Sequence, residues 1–401
     1  MSNSSTPFHL AVALDGAGWH PAAWRQADAR PAELFTAGYW GDLVAHAERG
    51  LLDFVTIEDS LTMQSEDQFV PDDRIDRVRG RLDAVLIAAR IAPRTSHIGL
   101  VPTAVVTHTE PFHISKAIAT LDYVSTGRAG VRVQISARQD AAAHFGRREL
   151  PRLSADILQY QTVRRILGDY FAEAADYVEV LRRLWDSWED DAEIRDVAGG
   201  RFIDKDKLHY VDFEGRWFSV KGPSITPRPP QGQPIVTALG HVGMAYELIA
   251  ASADVGFVTP HDAAQAADIV GDIDARKLDA GRGDETVHVF GDLVVFLDTN
   301  PDAAQIRRAR LDDLVGAEYT SDATIFVGAP GQLADLMQGW HAAGLSGFRL
   351  RPAALPHDLI QIIDALVPEL QRRGVFRTVY EADTLRGLLG LSRPANRYAA
   401  A

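Results

Sequence analysis

The sequence predicts an α/β fold: a single (β/α)8 TIM barrel with insertions, spanning residues 1–401. Three observations predict it. Eight short apolar stretches each precede a longer segment with apolar residues at helical spacing. The length suits a barrel enlarged by insertions. No Gly-x-Gly-x-x-Gly joins a strand to a helix, which leaves a doubly wound dinucleotide fold without its usual signature.

Taken in order, FHLAVALD from Phe8 reads as the first strand, and Pro31 to Gly50 as a helix stopped by glycine. DFVTIEDS from Asp53 and RLDAVLIAARI from Arg81 form the second pair, and HIGLVPTAVV from His97 is the third strand. The helix from Pro111 opens with proline, whose missing N–H costs nothing in a first turn. AGVRVQIS from Ala129 is the fourth strand, and the helix from Tyr170 to Trp188 follows it. PIVTAL, DVGFVTP, VHVFGDLVVFL and GFRLRP, from Pro234, Asp254, Val287 and Gly347, complete the eight. Helical segments follow them at 243–252, 263–280, 330–343 and 358–373.

Four stretches exceed ordinary connections and read as insertions, near 61–79, 137–167, 189–233 and 312–329. The first, acidic in composition, and the second follow strands two and four. They therefore belong at the C-terminal mouth, where barrel enzymes keep their chemistry, and are candidate lids.

Composition narrows the chemistry. The net charge of −14 speaks against nucleic acid or an anionic membrane as the main partner. Without cysteine, the chain has no disulfide, thiolate nucleophile or cysteine-ligated metal. The opening MSNSSTPF lacks a basic and an apolar region, and no run of about 18 apolar residues occurs, so the expected location is cytoplasmic.

The fourth strand poses the sharpest question. Val131, Val133 and Ile135 alternate with Arg132, Gln134 and Ser136. The aliphatic set suits the helix layer, so the polar set points into the barrel. A buried guanidinium needs a partner, so Arg132 faces either a polar ligand or an internal carboxylate. Glu58 and Asp59, at the end of strand two, are the nearby candidates. Further polar residues gather at strand ends: His20 after strand one, Thr107 and His108 after strand three, Gly240 and His241 after strand five, and Arg349 and Arg351 on strand eight. His20 and His108 are the candidates for proton handling, because imidazole titrates in the right range. No His-Glu-x-x-His or Gly-x-Ser-x-Gly appears, so no metal site or serine hydrolase is read.

Seven stretches occur in order along the chain: GWHPAAWR (Gly18–Arg25), EDS (Glu58–Ser60), TEPFHISKAIATLDYVSTGRAG (Thr109–Gly130), AHFG (Ala143–Gly146), DYVEVLRRLWDSWEDDA (Asp176–Ala192), GPSITPRPPQGQPIV (Gly222–Val236) and the segment Leu366–Asn396. Together they resemble the bacterial luciferase-like flavin monooxygenases, in the branch of nitrilotriacetate, long-chain alkane and dibenzothiophene-sulfone monooxygenases. The resemblance implies reduced FMN supplied by a separate NAD(P)H:flavin reductase, O2 as co-substrate, a small organic substrate and a dimer or tetramer. By position it implies that Asp59, Thr107, Ser136 and Gly240 bind the flavin, with Arg132 and His241 at matching places and Tyr170 as a further candidate beside one. The chain departs from the pattern where Val131-Arg132 replaces Trp-Asn, and where His241 and Val242 replace two serines expected on the flavin phosphate. Leu167 and Phe171 align with the usual His and Tyr, with Tyr170 one place off. Two readings compete with the monooxygenase: an F420-dependent oxidoreductase and a non-catalytic flavin-binding protein of the same fold.

Overall fold

Parallel pairing closes the sheet on itself in the computed structural model, which describes residues 8–67, 69–151 and 161–399. The strands are β1 (His9–Leu14), β2 (Phe54–Ile57), β3 (Gly99–Val105), β4 (Gly130–Gln134), β5 (Ile235–Gly240), β6 (Val255–Val258), β7 (His288–Leu297), β8 (Thr324–Gly328) and β9 (Gly347–Pro352). Barrel neighbours run β1 to β7 in order, then β9, which returns to β1. All eight expected strands are there.

The ninth strand, β8, lies in the stretch read from sequence as irregular. Residues His288–Gly291 of β7 pair with β6, and Leu293–Leu297 pair with β8. β8 thus takes over where the short β6 ends and raises the wall at the C-terminal mouth. The other insertions also carry structure. Helix α4 (Gln139–Phe145) fills part of the second, and the long helix α5 (Gln161–Asp186) includes the nine residues before the expected Tyr170. Residues 152–160 of that insertion lie outside the described ones. The third forms two short hairpins, Glu193–Asp196 with Arg201–Ile203 and Phe213–Glu214 with Ser219–Val220.

The outer helices follow from capping and apolar spacing. Helix α1 (Ala37–Arg49) starts at Thr36, whose hydroxyl accepts from Tyr39 N, and ends at Gly50. Pro31–Glu33, expected within it, is a separate 3-10 turn. The helical run that follows β9, His357 to Arg372, contains a π-helical segment at Ile362–Leu366, just ahead of Pro368. Proline has no N–H to donate, and a local change of helical pitch accommodates the loss.

Inside the barrel the layers follow the two-residue period of strands. The floor is apolar: Ala11, Phe54, Val101, Ile235, Val255, Phe257 and Phe290 pack against Leu385 and Leu389 at the chain's C-terminal turn. Two residues further along the strands, Thr56, Thr103, Arg132, Thr237, Asp292 and Arg349 are polar and buried. Among the described residues no helix is long and apolar enough to cross a membrane.

The loop after β1 is zipped to the end of β9. Trp19 N and His20 N donate to the carbonyls of Pro352 and Ala353, at 3.0 and 2.9 Å. Gly18 permits this approach. Its φ is +125°, and a Cβ there would lie 2.5 Å from the Ala353 carbonyl oxygen. Gly18→Ala is therefore expected to cost about 2 kcal/mol or more, seen as a lower midpoint in thermal unfolding.

Candidate active site

The site rests on a chain of alternating charges that climbs from the barrel interior to its mouth. Asp292, fully buried on β7, accepts from Arg349 Nε and Nη2 at 2.7 and 2.6 Å and from Arg351 Nε at 2.9 Å. Arg349 Nη1 reaches Glu58 Oε1 at 3.3 Å, and the other oxygen of Glu58 lies 3.1 Å from Arg132 Nη1. In the other direction Arg351 donates to both oxygens of Asp322, at 2.7 and 3.1 Å. Asp322 Oδ2 lies 3.2 Å from His241 Nε2.

Burying so many charges is tolerable only because each has an opposite neighbour. Burial pushes the Asp292 carboxyl up, but the Arg349 and Arg351 guanidiniums outweigh it and hold the pKa below its ordinary value. Burial pulls Arg132 down to about 10, against the support of Glu58, so it stays charged at neutral pH.

Arg132, Gln134 and Glu58 thus meet as the alternation predicts, with Arg132 Nη1 also donating to Gln134 Oε1 at 2.7 Å and Thr103 Oγ1 at 3.1 Å. Asp59, one residue along, points the other way. Its carboxylate accepts from Ser60 N and from Ala84 N, at the start of α2 (Ala84–Ile91), at 2.7 and 2.9 Å. The carboxylate that β2 sends inward is Glu58.

The remaining candidates fall in two groups. Toward the ends of β3 and β4, Thr107 Oγ1 accepts from Ser136 N at 2.9 Å, beyond the end of β4 at Gln134. His108 stacks on Phe145 of α4, with ring centroids 5.6 Å apart. Its Nε2 is buried and has no hydrogen-bond partner among the described residues. Burial, helped by Arg148, pulls its pKa down to about 4. Tyr170 is buried on α5 beside Ala142 and Leu150. At the end of β5, Gly240 lets α6 (Gly243–Ser252) approach, since a Cβ there would meet Ile249 and Tyr246 at 2.9 Å. The ring of His241 is held between Asp322 and Thr259 Oγ1, the latter 2.9 Å away.

Across the mouth, His20 is wholly buried. Its Nδ1 accepts from Ala22 N at 3.1 Å, which leaves Nε2 to donate to Asp312 at 3.1 Å. Burial lowers its pKa, so the ring is a neutral tie between the β1 loop and helix α8 (Pro301–Val315). The structure thus places His20 and His108 at the ends of different strands, with only His108 keeping a ring nitrogen unengaged among the described residues. Next to His20 a cavity of about 300 Å³ opens between the loops after β1 and β2 and the segment before β8.

Sequence reasoning missed Asp292 and Asp322. Asp292 sits in the apolar run of β7, and its inward register with Phe290 was the available signal. Asp322 was hidden in the stretch that proved to hold β8.

The family model described as luciferase-like monooxygenase matches residues 17–319. Along its whole length the chain is 32% identical to N-acetyl-S-(2-succino)cysteine monooxygenase of Bacillus subtilis (strain 168), covering all of that protein. It is 30% identical to nitrilotriacetate monooxygenase component A of Aminobacter aminovorans, over 95% of this chain and 96% of that protein. In structure it superposes on long-chain alkane monooxygenase with a TM-score of 0.82, at 24% identity and 96% coverage of both chains.

Two measurements check this geometry. Asp292→Asn leaves two buried guanidiniums facing a neutral group and is expected to cost about 3–5 kcal/mol of stability, read from the denaturation midpoint. An imidazole NMR titration should place the His108 midpoint near the depressed value of about 4 rather than 6.5. An unfolded histidine takes its proton near 6.5, before the folded one does. The contribution of His108 to stability is therefore lost as pH falls from about 6.5 to about 4.

Proposed function

The chain belongs to the luciferase-like monooxygenase family, and from that premise we propose that it is the oxygenating component of a two-component system. A separate NAD(P)H:flavin reductase supplies reduced FMN, and the substrate is a small organic molecule. Bound reduced flavin supplies the electrons that activate O2 for transfer of one oxygen atom. The protein's task is to bind, orient and keep water out.

The observation that carries the cofactor assignment is the start of α6. Its first residue is Gly243, and no side chain caps its first turn, because Val242 stands at the N-cap. Such a terminus, with free amides, suits a phosphate. A Cβ on Gly243 would lie 3.2 Å from Arg276 Nη2, so a guanidinium flanks the same terminus. Arg276 also pairs with Asp272, at 2.9 Å. On this reading Arg276 on α7 (Ala263–Asp279) supplies the attraction that serine hydroxyls give elsewhere in the family.

The ring system then lies toward β3 and β4, where His108 presents a neutral imidazole with an unengaged Nε2. We assign His108 to hydrogen bonding at the reacting end of the flavin or substrate. Ser136 and Thr107 line the same side. His20 acts as a positioning residue, holding the loop that walls the cavity.

Anaerobic titration tests the cofactor. Reduced FMN should bind and F420 should not. Arg276→Ala should weaken reduced FMN about tenfold or more, the loss of one charge-assisted hydrogen bond, while leaving riboflavin, which has no phosphate, unchanged. With a flavin reductase and NADH, the protein should alter the fate of the reduced flavin, measured as a change in free peroxide yield; His108→Ala should change that yield again.

A further inference from the structure

The cavity beside His20 has an uneven polar lining. Trp19, Trp24 and Tyr319 contribute its aromatic surface, and its volume of about 300 Å³ suits a small molecule. The Asp15 carboxylate in its lining is already paired. Arg81 donates to its two oxygens at 2.9 and 2.5 Å. Glu318 stands at the rim, paired with Arg308 at 2.7 Å and 76% exposed.

Arg77 is different. Its side chain is 9% exposed, yet Nε and Nη2 have no hydrogen-bond partner among the described residues. The nearest negative charge is Glu66 Oε2, 3.5 Å from Nη2, on a side chain 65% exposed to solvent. Gln64 lies in the same lining, and its Oε1 is a second buried orphan, an acceptor without a donor. Its amide nitrogen leans toward Asp15 at 3.4 Å, which fixes the oxygen as the free end.

Leaving a buried guanidinium and a buried amide oxygen unsatisfied costs free energy. One ligand satisfies both if it carries a carboxylate for the guanidinium and an O–H or N–H for the oxygen. The acidic composition of the 61–79 loop conceals this: Glu66 lines the cavity but is largely exposed, while Arg77 turns in. We propose that this cavity is the substrate site and that it selects a small organic acid with an apolar or aromatic body. Arg77 holds the carboxylate, displacing the loose contact with Glu66, and Gln64 Oε1 accepts from a neighbouring donor on the same molecule. Calling the ligand a substrate rests on the monooxygenase reading above.

Mandelate is a suitable probe: it has a carboxylate, an adjacent hydroxyl and a ring. Isothermal titration should show mandelate binding at least tenfold more tightly than neutral mandelamide. Phenylacetate, which lacks the hydroxyl, should fall between. Arg77→Gln should abolish the preference for the acid, and Arg77→Lys should keep part of it. Reduced FMN binding, measured on the same samples, should be unchanged in both variants, which also shows that they are folded. Equal binding of mandelate and mandelamide to the wild type, or an undiminished preference in Arg77→Gln, overturns the proposal. If the acid preference holds but reduced FMN does not bind, the functional reading fails and the anion site stands. If FMN binds without any acid preference, the anion site fails alone.

Discussion

A carboxylate with no access to water, Asp292, holds two arginines that are almost as deeply buried, and the rest of the barrel mouth is arranged around it. Its charge makes Arg349 and Arg351 tolerable inside the barrel. Through them it fixes Glu58 on one side and Asp322 on the other. The network closes off the polar middle of the barrel above an apolar floor. The C-terminal mouth therefore has a rigid base, and the chemistry is left to loops above it.

That base divides the mouth. On the side of β3, β4 and β5 lie His108, Ser136 and the uncapped start of α6. On the side of β1 and β2 lie the aromatic cavity and Arg77, whose Nε and Nη2 have no hydrogen-bond partner among the described residues. β8 matters to both: it brings Asp322 to the network and so holds His241, and the segment before it walls the cavity with Tyr319. The proposed division of labour, flavin on one side and substrate on the other, follows from where polar atoms stay unsatisfied.

Much of this was legible in the residues. Alternation on β4 announced an inward Arg132, and its partner Glu58 was one of the two carboxylates within reach. The eight barrel strands were legible because each is a short apolar run followed by a helix. Other features were not, for physical reasons. β8 is only partly buried over most of its length, and its apolar run is just Ile325–Val327, inside a stretch otherwise rich in polar and small residues. Asp59 and Glu58 are adjacent, and only the direction of the strand decides which faces in. His20 and His108 look alike in sequence. Their difference lies in long-range packing, which gives His20 two partners and leaves Nε2 of His108 without one among the described residues.

The division of the mouth turns on where the flavin sits. The most direct test is a crystal structure of the protein with FMN bound under reducing, oxygen-free conditions. The division predicts the phosphate on the first turn of α6 beside Arg276, and the ring system over the ends of β3 and β4 within hydrogen-bond reach of His108. A flavin whose phosphate lies elsewhere, or whose ring fills the cavity lined by Arg77, would contradict it.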